Sequence, residues 1–267
     1  MVLLVRYEQA PGGATGRVLY LTLNRPEARN AMSLAMVGEL RAALCDAEEA
    51  GDVRAIVLRG SGGHFCAGGD LKDMAAARMS PDGASAMASV NARFGELCVA
   101  FARTGIAVIA VVEGSVMGGG FGLACVADVV LASESTQFRL PETSLGVVPA
   151  QIAPFLVERL GYAEARRLAV TGGRLDAREA LTLRLVHEVH TADTLDAALA
   201  RVLGDVLRCA PHAVAASKAL IARARLQPAA NLVGEAAAVF AQAVLGPEGT
   251  EGTTAFLQKR APAWAPQ

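Results

Sequence analysis

The sequence predicts an α/β fold followed by an all-helical C-terminal region, and three observations carry that expectation. Short branched-aliphatic runs return after amphipathic helical stretches, glycine clusters sit where two of those runs end, and from about Thr194 onward only helical periodicity remains. Met1–Arg6 reads as a short strand. Val18–Asn24 and Ala55–Arg59 read as strands too, and between them Ser33–Ala50 spaces Met36, Leu40, Leu44 and Ala47 by three or four residues before Gly51, which predicts a helix. After a loop over Ser61–Asp70, a helix over about Pro81–Arg103 carries Met87, Val90, Phe94, Leu97 and Phe101 at alternating three and four, and leads into a strand at Ile106–Val112. A glycine-rich turn then opens a small-residue helix at Met117–Ala127. Val129–Ala132 and Phe138–Leu140 are extended, and a helix covers about Ile152–Thr171. The tail divides into helices near 194–209, 211–226, 229–245 and 249–259, punctuated by Pro211, Pro228 and Gly246-Pro247. A boundary is expected near residue 192, with residues 1–192 as the core that holds the site and 193–267 as a helical region packed on that core or on another subunit.

Composition narrows the function. Of 267 residues, 53% are apolar and 19% charged, which supplies a large core and argues against disorder. With 25 basic against 26 acidic residues, there is no basic field to hold a polyanion, so nucleic acid is not expected as the main partner. The longest apolar run, Ile106–Val112, falls far short of the roughly 20 residues a membrane span needs. The N-terminus has no basic lead or small-residue cleavage site, and the expected location is the cytoplasm. Five cysteines, an odd number without CxxC spacing, are expected to be reduced and mostly in the core.

Three stretches have the makings of a catalytic site. His64-Phe-Cys-Ala-Gly-Gly-Asp-Leu-Lys-Asp-Met74 and Glu113-Gly-Ser-Val-Met-Gly-Gly-Gly-Phe-Gly-Leu123 concentrate glycine at strand ends, where backbone N–H groups are free to point into a cleft. Two such donors aimed at one oxygen are what an enolate or tetrahedral oxyanion requires. The third, Phe138-Arg-Leu-Pro-Glu-Thr-Ser-Leu-Gly-Val-Val-Pro149, presents one carboxylate, Glu142, beside a proline, in position to transfer protons.

As a set, Leu23-Asn-Arg-Pro-Glu-Ala-Arg-Asn-Ala31, Phe65-Cys-Ala-Gly-Gly-Asp70, Gly118-Gly-Gly120, Pro141-Glu142 and Glu251-Gly-Thr-Thr-Ala-Phe-Leu-Gln-Lys-Arg260 resemble the crotonase superfamily, the enoyl-CoA hydratases/isomerases, over essentially the whole chain. The resemblance implies a crotonase-like spiral of ββα units and a C-terminal helical region used in trimerisation, often in a dimer of trimers. It implies an acyl-CoA substrate, with coenzyme A part of that substrate and no other cofactor. Carried over by position, the oxyanion donors are the N–H groups of Gly69 and Gly119. Ala28, Ala67, Asp70, Leu71 and Lys72 line the CoA channel, with Lys72 near phosphate, and Phe256 and Lys259 reach the nucleotide of a neighbouring subunit.

One position departs from the pattern. Ordinary hydratases of the family hold a water between two glutamates; Glu142 fills the second place, while the first is Gly122. Four readings follow: a hydratase with Glu142 as its one acid/base, an enoyl-CoA isomerase, a decarboxylase, or a non-catalytic acyl-CoA binder. A substrate that carries its own carboxylate favours the first, because a second enzyme carboxylate a few ångströms away would cost about 1–4 kcal/mol. Gly122 would remove that repulsion and open space. Leu145-Gly-Val-Val-Pro-Ala-Gln-Ile-Ala-Pro-Phe155 looks like the branched glutaconyl-CoA hydratases of bacterial leucine and acyclic-terpene degradation, of the isohexenylglutaconyl-CoA and 3-methylglutaconyl-CoA type. Gln151 is expected either to orient water or carboxylate or to cap the helix that follows. Arg139, three residues before Glu142 in an extended stretch, is expected on the opposite face. The histidines lack metal-ligand spacing and a partnering nucleophile, so no metal site and no Ser/His/Asp or Cys/His mechanism is expected.

Overall fold

The computed structural model describes all residues, Met1–Gln267. The chain opens with β1 (Leu3–Gln9) and β2 (Arg17–Leu23), an antiparallel pair. It continues through α1 (Leu34–Ala50), β3 (Val53–Gly60), α2 (Leu71–Arg78) and α3 (Gly83–Arg103) to β4 (Ala107–Val112). Next come β5 (Ser115–Met117), α4 (Gly119–Cys125), β6 (Val129–Ser133), β7 (Gln137–Arg139), a 3-10 turn over Glu142–Leu145, and α5 (Ala153–Thr171). Then follow β8 (Arg174–Asp176), α6 (Ala177–Thr182), β9 (Glu188–His190) and four helices: α7 (Leu195–Arg208), α8 (Pro211–Ala224), α9 (Ala229–Leu245) and α10 (Pro247–Leu257).

The strands form a six-stranded sheet in the order β1-β2-β3-β4-β6-β9, parallel from β2 onward, and a small sheet β5-β7-β8. All six residues of β4 are buried, as expected of a parallel strand covered on both faces. One cover is α1, whose Met36, Leu40, Leu44 and Ala47 are buried in the main core; Ser33 caps its start by accepting the Met36 N–H, and Gly51 ends it at φ 69°. The other cover is α7. Leu195, Leu199, Val202 and Leu203 pack on the second face with Val57, Ile109 and Leu131.

The α/β class is as predicted, and several elements differ. Of the helical region expected beyond residue 192, the first helix, α7, packs on the core and seals the second face of the sheet. The sequence reading has no α2, whose eight residues bury no side chain and so give no apolar period to detect. It also lacks β5, β8 and α6, each only three to six residues long. The last helix begins at Pro247 rather than 249, in keeping with the preference for proline in a first helical turn.

Of α9, only Leu232 is buried; Val233, Phe240 and Leu245 are exposed, as are Phe256 and Leu257 at the end of α10. No single helix is long and apolar enough to cross a membrane.

Arg54 closes the structure at the N-terminal ends of the strands. Its buried guanidinium donates to the carbonyls of Thr15 (2.9 Å), Leu207 (3.2 Å), Cys209 (2.8 Å) and Trp264 (3.2 Å), joining the β1–β2 turn, the end of α7 and the C-terminal tail. Arg54→Met leaves these carbonyls short of a donor and should lower the thermal midpoint by roughly 5–15 °C, read by circular dichroism.

Candidate active site

Two chain segments clasp each other beyond the C-terminal end of β3. Asn30, fully buried and at φ 57°, donates from its side chain to the carbonyls of Ser61 (2.9 Å) and His64 (2.7 Å), while its Oδ1 accepts the Arg25 N–H at 2.8 Å. Backbone bonds continue the clasp: Ala67 N–H to Arg29 O at 2.9 Å, Met32 N–H to Gly68 O at 2.7 Å, and Asp70 N–H to Met32 O at 3.0 Å. These bonds fix both neighbours of Gly69 and leave the exposed Gly69 N–H without a protein acceptor. Gly68 holds φ 100°, a conformation that favours glycine.

The second glycine turn comes up against the first. Cys66 N–H donates to Ser115 O and Met117 N–H to Cys66 O, both at 2.9 Å, so β5 runs alongside the loop. A Cβ on Gly68 would lie 3.3 Å from Met117 O and 4.0 Å from Gly118 Cα. Gly118 N–H is taken by Arg139 O at 3.1 Å. Gly119 follows as the first residue of α4, so its N–H has no acceptor inside the helix and sits at the helix's positive end.

Glu142 closes this junction. It starts the 3-10 turn after Pro141, and its Oε1 lies over Gly118, where an added Cβ would come within 2.9 Å of it. Its Oε2 is buried without any partner, and burial raises the carboxyl above its ordinary pKa. An acid whose charged form is disfavoured by burial, beside two unpaired backbone donors, has the parts for moving a proton next to a developing oxyanion.

The structure thus brings Gly69, Gly119 and Glu142 to one place, with Ala28 and Ala67 half-buried in the clasp and Leu71 and Lys72 exposed at the start of α2. Two expected roles change, at Gly122 and Gln151, while Asp70 of the expected CoA wall is held in the loop. Asp70 is 7% exposed and fully engaged: it pairs with Arg25 at 2.7 Å and caps α2 by accepting from Lys72 N–H (2.7 Å) and Asp73 N–H (3.3 Å). It shapes the loop that carries Ala67, Leu71 and Lys72. Gly122 opens no space, because it is buried and a Cβ there would overlap Ile152 Cγ2 and lie 2.9 Å from Ile152 Cβ. Gln151 does not cap α5. It donates to Asn91 Oδ1 at 2.9 Å and lays its amide across buried Gly95 of α3. Phe256 and Lys259 stand exposed around the end of α10, and the tail beyond them is anchored at Gly12 and Thr15, the end of the sheet away from the glycine turns. In this chain alone they do not meet Glu142.

Sequence reasoning placed the stretch 25–30 by resemblance along the CoA channel but gave Arg25 and Asn30 no role of their own, and it missed Phe94. Phe94 has the spacing of a core position, yet it is half-buried and packs on Gly119, with its Cζ 3.2 Å from an added Cβ. Arg139 has a buried Nε without a partner and makes no ion pair. His64 and His187 each accept a backbone N–H on Nδ1, from Ser115 (3.1 Å) and Val130 (2.9 Å), which is structural work. Burial pushes the Cys66 thiol up to about 11, which disfavours the thiolate.

Burial raises the Asp70 pKa, but the hydrogen bonds from Arg25, Lys72 N–H and Asp73 N–H outweigh it and leave the group below its ordinary value. That stabilisation is present above the unfolded pKa and is lost as pH falls through the lower folded one. Asp70→Asn should therefore cost about 1–3 kcal/mol at pH 7, with the gap to the parent closing below about pH 4 in thermal unfolding, and should weaken acyl-CoA binding.

Comparison with known proteins gives this geometry its context. The Enoyl-CoA hydratase/isomerase family matches residues 13–267. The structure of Pseudomonas aeruginosa AtuE is 52% identical with a TM-score of 0.94, over 99% of this chain and 100% of that one. An enoyl-CoA hydratase/isomerase from Marinobacter aquaeolei is 48% identical with a TM-score of 0.92, over 98% of each chain. The 2,3-dehydroadipyl-CoA hydratase of Escherichia coli strain K12 is 32% identical over 92% of this chain and 94% of its own. With its parallel sheet, its paired glycine turns and these matches along nearly its whole length, the chain belongs to the enoyl-CoA hydratase/isomerase family and has the crotonase fold.

Proposed function

We propose that this protein, a hydro-lyase of the enoyl-CoA hydratase type, adds water to the double bond of a 3-branched glutaconyl-CoA thioester such as isohexenylglutaconyl-CoA or 3-methylglutaconyl-CoA. The observation that carries the reading is the carboxylate of Glu142, buried with one oxygen unpaired at the junction of the two glycine turns. In this mechanism the thioester oxygen accepts the N–H groups of Gly69 and Gly119, which stabilise the enolate that forms as water bonds to Cβ. Glu142 delivers a proton to Cα and is reprotonated by the proton that the attacking water loses. The substrate gains one water and the enzyme returns to its starting state.

A diacid ester suits a site with no second acid at position 122, since the substrate's own carboxylate meets no repelling partner there. A relative whose name specifies the dehydroadipyl ester, also a diacid, is in keeping with this class. The reaction needs no cofactor beyond the coenzyme A of the substrate. We assign the enzyme to the cytoplasm and to leucine or acyclic-terpene degradation. The apolar face of α9 and α10, with Phe240 at 70% exposure, suits a homotrimer or dimer of trimers, in which Phe256 and Lys259 would reach a neighbour's nucleotide. Ala28, Ala67, Asp70, Leu71 and Lys72 form the CoA wall on this reading.

Glu142→Gln should lower hydration by roughly 10²–10⁴-fold while CoA-ester binding survives; full turnover would remove Glu142 from the reaction. In mass spectrometry of a panel of crotonyl, 3-methylglutaconyl, isohexenylglutaconyl, methylmalonyl and 3-enoyl esters, gain of one water should be confined to the branched glutaconyl esters. Loss of carbon dioxide, or a moved double bond at constant mass, would replace hydration by decarboxylation or isomerisation. Because burial raises its pKa, the charged form of Glu142 costs stability. Glu142→Gln should therefore be at least as stable as the parent at pH 7–8, and that advantage should vanish as pH falls below the ordinary glutamate range. Phe240→Asp should yield smaller particles by light scattering.

A further inference from the structure

Position 122 and Glu142 belong to one wall. Gly122 donates its N–H to Gly118 O at 3.0 Å across one turn of α4, so a side chain at 122 projects back along the helix over Gly118. Gly118 is also the residue that Glu142 Oε1 lies against. Any group attached at 122 therefore faces toward the carboxylate. That direction is already occupied, because Ile152 Cγ2 stands only 2.1 Å from where the Cβ of residue 122 would be.

Ile152 is not free to move away. It is 3% exposed, in the same core cluster as Phe121 and Leu123 of α4 and Leu156 one turn further along α5. On its other side Gln151 holds the loop to α3 through Asn91, and a side chain at Gly95 would collide with the Gln151 amide, 2.7 Å from its Cδ. A β-branched residue pinned at both neighbours has little rotamer freedom.

We infer that Ile152 is the specificity-determining residue of the site: its branched hydrocarbon takes the place from which a second polar group on α4 would face Glu142. As hydrocarbon, it offers a carbon branch at Cβ a contact that a straight 2-enoyl chain cannot make. Gly122 is then glycine because Ile152 is there. The substrate half of this inference rests on the hydratase reading above, while the packing half stands without it.

Five proteins test it: the parent, Gly122→Glu, Ile152→Gly, the double variant, and Ile152→Ala as a milder probe. Gly122→Glu alone should lower the thermal midpoint by roughly 4–12 °C or fail to fold, and Ile152→Gly should lower it too. The double variant should recover a large part of the sum of the two losses. Losses that add, or a Gly122→Glu protein as stable as the parent, would overturn the packing half. Hydration of 3-methylglutaconyl-CoA against crotonyl-CoA reads the substrate half. Ile152→Ala should shift the kcat/KM ratio toward crotonyl-CoA by about 10-fold, as for removing methylene-sized contacts, and the double variant should shift it at least as far. An unmoved ratio in Ile152→Ala, with the parent active, would overturn the role given to Ile152. A parent that hydrates neither ester, with the coupling of midpoints intact, would instead overturn the reaction itself.

Discussion

At Gly68 and Gly118 two stretches of backbone approach closely enough that a Cβ on the first would press on the Met117 carbonyl and a Cβ on the second on the Glu142 carboxylate. Everything else in the site follows from keeping that junction bare. Strands β3 and β4 deliver the two turns to the same end of the sheet because parallel neighbours finish on the same side. The Asn30 side chain and the Arg25–Asp70 pair hold the first turn, and the backbone bonds of Cys66 to Ser115 and Met117 keep it in register with the second. Backbone amides are suited to this work, since they are fixed by the fold and need no reorganisation when charge develops nearby.

The junction also explains why a carboxylate is tolerated there half-desolvated. Glu142 sits on a rigid 3-10 turn after Pro141, with Val147 N–H bonded to its own carbonyl at 3.0 Å, so it cannot relax outward without unmaking the turn. Its Oε2 goes without a partner in the folded chain, which is the usual mark of a group kept for a ligand rather than for stability. The Asp70 carboxylate, by contrast, is paired on every side and titrates low. Two acids in one site thus carry opposite protonation tendencies.

What could be read in the sequence was what local pattern encodes. The helix over Ser33–Ala50 announced itself through Met36, Leu40, Leu44 and Ala47, all four now buried, and Ala229–Leu245 through its flanking Pro228 and Gly246-Pro247. The glycine turns and Glu142 were legible because their chemistry is concentrated in short stretches. What escaped notice depended on distance. Nothing near residue 122 reveals that Ile152, 30 residues later, fills its empty side, and nothing near Gln151 reveals Asn91. The short helix α2 was missed for a different reason, an absence of buried residues, although Asp70 and Asp73 at its start were available as capping signals.

Arg54 carries a consequence for how the molecule comes apart. Its charge lies inside, and its carbonyl partners come from residues 15, 207, 209 and 264. Four segments remote in sequence thus share one cation, and fraying of any of them leaves that cation short of an acceptor where water reaches poorly. Loosening of the segment at Trp264 is therefore felt at the start of β3, and local opening at this end of the sheet is tied to the stability of the whole.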